Sequence, residues 1–218
     1  VGTIVSSLFS YKIINRFGTG RITFFSTLAT AAALLGFSAA PSFIWLIIPA
    51  VPLGLGAGSV DAGLNNYVAL HYKPYHMSWL HCFWGVGATM GPIIMAHYIG
   101  NDGNWRGGYG TISLIQFSLA ALLLLMLPLW NRIPENSDID DLPDENPAIE
   151  GSNESVFKIR GLKLSLTAFL FYCAAETTTG LWGSSFLVNM KDLSPAAAAR
   201  CISLYYAGIT AGRLFTGF

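Results

Sequence analysis

The sequence predicts an all-α membrane protein, and two observations carry this prediction: the apolar content and the placement of the charges. Of the 218 residues, 53% are apolar and only 11% are charged, whereas soluble domains carry roughly 25% charged residues. Eight of the twelve acidic residues lie between Glu135 and Glu154, and the net charge is zero. This composition excludes an ordinary soluble enzyme, a disordered chain and a nucleic-acid binder.

The first three predicted spans lie within residues 1–60. Residues 1–14 form a truncated apolar segment, and residues 22–60 contain no Lys, Arg, Asp or Glu. At a helical rise of about 1.5 Å per residue, the second run is about twice the roughly 30 Å thickness of the hydrocarbon core. It must therefore fold back once. Pro41 marks the break, because proline cannot continue a helix and disfavours helical geometry at Ala40.

Four further stretches are long enough to cross a bilayer: residues 74–101, 107–131, 162–190 and 195–218. Trp105 and Trp130 bracket the second of them, as interfacial aromatic residues do. Glu176 lies within the third, and the fourth contains Arg200 in its opening turns and Arg213 further along. The count is therefore seven transmembrane helices.

The basic residues predict the orientation in the membrane, because Lys and Arg in short connections stay on the cytoplasmic side. Eight lie in one set of alternate connections: Lys12, Arg16, Arg21, Lys73, Arg132, Lys158, Arg160 and Lys163. The other set holds three: Arg106, Lys191 and Arg200. We therefore expect a multi-pass plasma-membrane protein with residues 15–21, 71–76 and 131–161 in the cytoplasm.

An internal repeat indicates the domain organisation. Residues 2–10 and 208–216 share Gly, Leu and Phe at an offset of 206 residues, and six spans separate their starts, so both copies run in the same direction. Parallel repeats are typical of twelve-helix secondary transporters, in which two six-helix halves are joined by a longer cytoplasmic connection. We expect an N-terminal half bundle at 1–130, an acidic linker at 131–161 and the start of the C-terminal half bundle at 162–218. On this interpretation the chain is a fragment that runs from the second to the eighth helix.

Five sequence windows follow one another in an order and spacing that together are fairly specific: residues 14–21, 58–65, 87–92, 171–188 and 211–217. They resemble motifs of the major facilitator superfamily and, within it, of the fucose-permease-like sugar transporters. The resemblance implies the major facilitator fold, with helices two to eight of twelve present. It also implies that the fourth-helix acid, a glutamate in that group and Asp61 here, serves proton coupling.

The resemblance also assigns residues to conformational gating. Residues 14–21 are similar to the turn between helices two and three that locks the cytoplasmic face in the superfamily. Asn15 stands there in place of the usual acid. The residues expected to take part in gating are Asn15, Arg16, Gly18, Arg21 and Arg213.

Asp61 is the strongest candidate for the site. An ionised carboxylate near the bilayer centre costs at least about 2.5 kcal/mol, so such a group normally faces a partner or water. We expect it to be buried and neutral when occluded, and to ionise when a vestibule opens. Asn65 lies one helical turn further on the same face, and a carboxylate beside an amide suits sugar hydroxyls. The alternative is that Asp61 serves as a structural contact between helices.

Four other residues are candidates for substrate contact, each with a structural alternative. Glu176 either contacts substrate or proton, or pairs with Arg213, which the topology places closer to the cytoplasmic end. His81 either relays protons or packs between helices. Trp84 and Trp182 either stack on a pyranose ring or fill the core.

The predicted function is secondary active transport of small polar solutes, namely a sugar with proton symport by alternating access. Substrate and proton would bind near the midplane around Asp61, Asn65 and Glu176. The alternative is a drug or metabolite exporter, a proton antiporter of the same superfamily. A seven-helix receptor is disfavoured by the parallel repeat. An intramembrane enzyme is disfavoured because no suitable serine faces a mid-span histidine.

The expected partners are a small-molecule substrate, the proton and the lipid bilayer. We expect a monomer that binds no nucleic acid, no cofactor and no metal. The three cysteines are widely spread within apolar segments, which is typical of packing residues rather than of metal ligands.

Overall fold

The computed structural model describes residues 2–130 and 160–216, and each regular element in these two ranges is an α-helix. The helices are α1 (Gly2–Phe17), α2 (Thr19–Ala39), α3 (Phe43–His71), α4 (Pro74–Asp102), α5 (Trp105–Trp130), α6 (Leu162–Lys191) and α7 (Pro195–Thr216). Each predicted span corresponds to one of them. Most of the acidic stretch predicted as a linker, residues 131–159, lies outside the described residues.

Among the helices in the described ranges, three are long and apolar enough to cross a membrane by length and composition: α2, α3 and α5. Helix α1 has 16 residues. Helices α4, α6 and α7 are longer but have a lower mean hydropathy. More polar spans are expected in a bundle whose helices bury polar groups against one another.

The break between α2 and α3 lies where the sequence predicts it. Ala40 leaves the helical region, with φ −63° and ψ 121°, and α3 begins at Phe43. Helix α3 continues past the uncharged run to His71, because the charge of Asp61 ends an apolar stretch without ending a helix.

The other connections are shorter than predicted. Gly18, with φ 82°, separates α1 from α2, so the expected turn at 15–21 is a single residue flanked by helix. A side chain rarely adopts this φ, which explains the glycine. Between α3 and α4, Tyr72 and Lys73 form the connection, so that the rest of the predicted 71–76 turn is helical.

Close contacts between small residues hold α1 to α3 and α2 to α5. A Cβ built on Gly2 of α1 would lie 3.1 Å from the Gly54 Cα of α3, and one built on Gly54 would lie 3.3 Å from the Gly2 Cα, so the two backbones approach closely because both residues are glycine. In the second pair, Ser113 Oγ donates to the Ala31 carbonyl at 2.9 Å. Thr30 Oγ1 donates to Gln116 Oε1 at 2.7 Å.

Helices α6 and α7 form an antiparallel hairpin that joins the other helices through α4. At one end of the α4–α7 contact, Cys82 Sγ donates to the Thr210 carbonyl at 3.8 Å. At the other end, Gly100 faces Ala196. Since the residue numbers run in opposite directions, α4 and α7 are antiparallel. Helices α3 and α6 do not pack against each other in the part of the chain that the structure describes.

Candidate functional site

An ion pair lies inside the α6–α7 hairpin. Glu176 of α6 is 8% exposed, and Arg213 Nη2 of α7 lies 3.1 Å from its Oε2 and 3.3 Å from its Oε1. Arg213 Nη2 also donates to the Tyr172 hydroxyl at 2.8 Å. A buried carboxylate requires such a partner, because the desolvation of an unpaired charge costs several kcal/mol.

The register of the hairpin explains how the two residues meet. Gly180 packs against Tyr206, and Gly183 faces Ile202. In this antiparallel register, Arg213 lies opposite Tyr172, about one helical turn (~5.4 Å) nearer the Leu162 end of α6 than Glu176. The sequence predicts the same order of Glu176 and Arg213 along the helix axis, and the assignment of that end to the cytoplasm stays a prediction. The long arginine side chain reaches back over this one turn.

A third helix contributes an aromatic face to the ion pair. Arg213 Cζ lies 4.9 Å from the ring centroid of Trp84 in α4, within the range of a cation–π contact. The ring of Tyr206 meets Trp84 edge-on, with centroids 6.0 Å apart and planes at 77°. We refer to Trp84, Tyr172, Glu176, Tyr206 and Arg213 as the Glu176–Arg213 cluster. It joins α4 to the α6–α7 hairpin.

Sequence reasoning placed three members of this cluster among the candidates and missed the two tyrosines. Tyr172 precedes Glu176 by four residues, and Tyr206 precedes Arg213 by seven, so each pair shares a helical face. This spacing was the available signal. Glu176 and Arg213 form the ion pair that the structural alternative predicted. A contact of Glu176 with substrate or proton stays a prediction.

Asp61 and Asn65 form a separate pair on α3. Asn65 Nδ2 donates to Asp61 Oδ1 at 3.0 Å, which confirms that the two side chains share a face. Asn65 Oδ1 is buried, and no hydrogen-bond partner is found for it among the described residues. The amide therefore retains an acceptor for a further donor.

Asp61 is exposed in the part of the chain that the structure describes, so its burial in an occluded state stays a prediction. Gly54 and Gly58 lie on the same face of α3 as Asp61, seven and three residues before it, and both pack against the backbone of α1. Gly56 packs against Ser26 and Thr30 of α2. These three contacts lie along the part of α3 that precedes Asp61, so they do not cover its carboxylate.

His81 and Trp182 lie outside the Glu176–Arg213 cluster. His81 is half-buried on α4, one turn from Gly85, which packs against Thr210 of α7. Trp182 is 67% exposed and lies six residues after Glu176, about 120° away around α6. The described helices therefore leave Trp182 largely uncovered. Trp84 is 48% exposed and contacts a cation and a tyrosine. For both residues, the choice between stacking on substrate and packing in the core stays a prediction.

The predicted gating residues lie at the junction of α1 and α2. Arg16 and Arg21 are exposed, on either side of Gly18. Arg16 Cζ lies 5.4 Å from the Phe17 ring centroid. The side chain of Asn15 lies outside the described residues. Arg213, the fifth predicted gating residue, belongs to the Glu176–Arg213 cluster instead of this junction.

The cysteines differ in environment. Cys82 is buried between α4 and α7, Cys173 is half-buried and Cys201 is exposed. The prediction of a packing role therefore fits Cys82 and does not fit Cys201 within the described part of the chain. In the two described ranges, no group of three His, Cys, Asp or Glu residues could hold a metal ion.

Comparisons with known proteins point to one family. The family model for the Major Facilitator Superfamily matches residues 1–218. Bypass of stop codon protein 6 of Saccharomyces cerevisiae is 25% identical over 238 residues, which cover 100% of this chain and 47% of that protein.

Two further relatives carry names that describe transport. The Glucose/mannose transporter GlcP of Bacillus subtilis is 23% identical over 188 residues, covering 85% of this chain and 46% of that protein. The Efflux pump DEP3 of Alternaria brassicicola is 27% identical over 110 residues, covering 49% and 19%. The chain thus spans at most about half the length of these relatives. No solved structure matches the chain.

Proposed function

The chain belongs to the major facilitator superfamily, and we propose on this basis that the protein is a secondary active transporter of small polar solutes, namely a sugar carried with a proton. The family match and the seven helices establish an all-α membrane protein of the facilitator fold. The superfamily consists of transporters and not of enzymes. The assignment to the fucose-permease-like branch remains a prediction.

The observation that carries the proposal is the buried Glu176–Arg213 pair at the junction of α4, α6 and α7. The opposite charges cancel, so this surface offers hydrogen-bonding groups without a net charge. An uncharged polyol suits such a surface, because its hydroxyls both donate and accept. The Trp84 ring supplies an apolar face on which a pyranose ring stacks. The relative named as a glucose/mannose transporter supports the same class of solute.

The proposed coupling uses two carboxylates. Asp61, beside the unpaired acceptor of Asn65, is the group that exchanges its proton with a vestibule. Because a neutral carboxyl is cheaper to occlude than an ionised one, proton uptake at Asp61 favours the occluded state. Glu176 is the second coupling group: its protonation breaks the ion pair by removing the negative charge that faces Arg213, which favours separation of the α6–α7 contact. The two halves then rock to release substrate and proton on the other side.

The proposal also includes the division of the chain into two half bundles and a linker. We assign residues 1–130 to the N-terminal half bundle and residues 162–218 to the C-terminal one, with residues 131–161 as a cytoplasmic linker. The packing of α6 and α7 against the rest of the chain through α4 supports this division. We further propose that the protein is a monomer and lies in the plasma membrane.

A second candidate is an exporter of drugs or metabolites driven by proton antiport. Two observations favour it: the relative named Efflux pump DEP3, and the aromatic face that Trp84 and Tyr206 form beside a cation. Flat aromatic surfaces accept many apolar solutes, whereas sugars also require directed hydrogen bonds.

The test is uptake of labelled sugars into proteoliposomes with and without an inward proton gradient. We expect gradient-driven accumulation of at least one sugar by the wild type. Asp61→Asn should lose accumulation while it retains exchange, and Asp192→Asn, at the α6–α7 turn, is the matched control that should transport normally. Accumulation that ignores the gradient, or that survives in Asp61→Asn, would rule out the coupling role. Proton-driven expulsion of a lipophilic dye without any sugar uptake would establish the exporter.

A further inference from the structure

A cavity of about 450 Å³ lies where the end of α4 meets the start of α7. It is separated from Trp84 by roughly 20 Å along α4, since His97 in its wall follows Trp84 by thirteen residues. Small residues form most of the wall, including Ala96, Gly100 and Ala197. The cavity is therefore distinct from the Glu176–Arg213 cluster and plays no part in the function proposed above.

Three polar side chains line this cavity: His97, Ser194 and Arg200. His97 and Arg200 are exposed, and neither forms an ion pair within the described residues. Ser194 Oγ accepts the N–H of Ala197 at 3.3 Å, so its hydroxyl proton can be donated to another group. The wall thus combines one permanent positive charge with two further donors. The carboxylate of Asp192 lies nearby in the sequence but does not line the cavity.

This donor set matches an oxyanion. The guanidinium of Arg200 can donate two parallel hydrogen bonds to a phosphate, and such charge-assisted bonds are the strongest available to a side chain. The cavity volume of about 450 Å³ falls within the range of small-molecule sites and is larger than the volume that a bare phosphate ion fills. The occupant should therefore be a phosphate that carries a larger polar group.

The position of the cavity identifies the source of that phosphate. Helix α4 ends at Asp102 and α7 begins at Pro195, so the cavity lies at the ends of two membrane-spanning helices. Phospholipid headgroups occupy this level, just outside the hydrocarbon core. We propose that the cavity between α4 and α7 binds the phosphate of a phospholipid headgroup through Arg200, His97 and Ser194.

The experiment measures thermal unfolding of the purified protein in a neutral detergent, titrated with short-chain phosphatidylglycerol, short-chain phosphatidylcholine or inorganic phosphate. We expect phosphatidylglycerol to stabilise the wild type at lower concentration than the other two. In Arg200→Gln the half-maximal concentration of phosphatidylglycerol should rise about tenfold, as expected for the loss of charge-assisted hydrogen bonds. His97→Gln is a second variant with a smaller expected loss.

Lys191→Gln is the matched control, because Lys191 is an exposed cation at the end of α6 outside the cavity wall. It should respond to phosphatidylglycerol like the wild type. Equal losses in Lys191→Gln and Arg200→Gln would overturn the proposal in favour of general surface charge. Stabilisation by inorganic phosphate alone that depends on Arg200 would overturn the assignment to lipid. Since Arg200 is exposed, its variant should unfold at the wild-type temperature without lipid, which separates lost binding from misfolding.

Discussion

Arg106 of α5 donates from Nε and Nη2 to the Ala40 carbonyl at 3.2 and 2.8 Å. This carbonyl lies at the end of α2, where no further helical N–H can reach it. Ser38 Oγ in turn donates to the Arg106 carbonyl at 2.9 Å. The beginning of α5 and the end of α2 are thus joined by reciprocal hydrogen bonds, at the point where Pro41 prevents α2 from continuing.

The first prediction concerns this joint. Arg106→Gln removes the charged donor and should lower stability by about 1 kcal/mol, a modest value because the arginine is exposed. The measurement is the thermal unfolding midpoint in detergent. Lys163→Gln, an exposed cation in the first turn of α6, is the control and should leave the midpoint unchanged. An unchanged midpoint in Arg106→Gln would show that the joint contributes nothing to stability.

The second prediction concerns the ion pair of Glu176 and Arg213. Because Glu176 is buried, Arg213→Gln leaves a buried charge without compensation, which typically costs about 3 kcal/mol or more. Arg213 is more exposed than Glu176, so Glu176→Gln should cost less. Each single substitution, Glu176→Gln or Arg213→Gln, should lower the free energy of unfolding. The double variant should lose less than the sum of the two single losses. A double-mutant cycle of thermal or denaturant unfolding measures this coupling. Additive effects of the two substitutions would contradict an energetically coupled pair.

The third prediction concerns Gly18 between α1 and α2. With φ 82° and ψ 149°, Gly18 lies close to a backbone region that is essentially restricted to glycine, so Gly18→Ala should destabilise the protein by about 1–3 kcal/mol. The matched control is Gly87→Ala in α4, where an added Cβ meets no atom within 4 Å and alanine is the better helix former. Gly87→Ala should be neutral or slightly stabilising in the same unfolding assay. Equal effects at both positions would argue against a strained junction.

The fourth prediction concerns the α4–α7 contact. A Cβ placed on Gly100 would lie 3.4 Å from the Ala196 Cβ, close to the spacing in a disulfide. With Cys82, Cys173 and Cys201 replaced by serine, the Gly100→Cys/Ala196→Cys variant should therefore form a crosslink under mild oxidation. Loss of maleimide labelling measures it. If alternating access separates α4 from α7 at this end, the crosslink should also abolish uptake in proteoliposomes, and reduction should restore it.

The control for the crosslink is Gly87→Cys/Ala196→Cys, because Gly87 lies thirteen residues before Gly100 and away from α7. It should remain labelled after oxidation. Full labelling of the Gly100→Cys/Ala196→Cys variant would show that the two helix ends do not meet in the membrane. Normal uptake by the crosslinked protein would show instead that they stay together during transport.

Local sequence features predicted much of the fold. The length of the uncharged runs gave seven helices, and Pro41 marked the end of α2, because both depend on residues close together in the chain. The hydrogen bond between Asp61 and Asn65 follows from a separation of four residues in one helix. The same local logic would have identified Tyr172 beside Glu176.

Nonlocal packing was beyond the sequence alone. Nothing in the sequence around Trp84 shows that it contacts Arg213, since the two residues lie on different helices 129 positions apart. The exposure of Asp61 in the described part of the chain was not predictable for the same reason. Burial depends on how far a neighbouring helix covers a face, and the contacts of α1 and α2 with Gly54, Gly56 and Gly58 lie before Asp61 along α3.

The sequence by itself determined that this protein is helical and membrane-embedded, how many spans it has, where α2 ends, and which few ionisable residues lie within the spans. These properties follow from short-range effects: the hydrophobic length of a segment, the geometry of proline and the spacing of side chains along a helix. Only the tertiary structure decided that Glu176 pairs with Arg213 against Trp84, and that Arg200 and His97 line one cavity. Those contacts depend on how closely packed helices align along one another, and this alignment is set by the sum of many small, distant contacts.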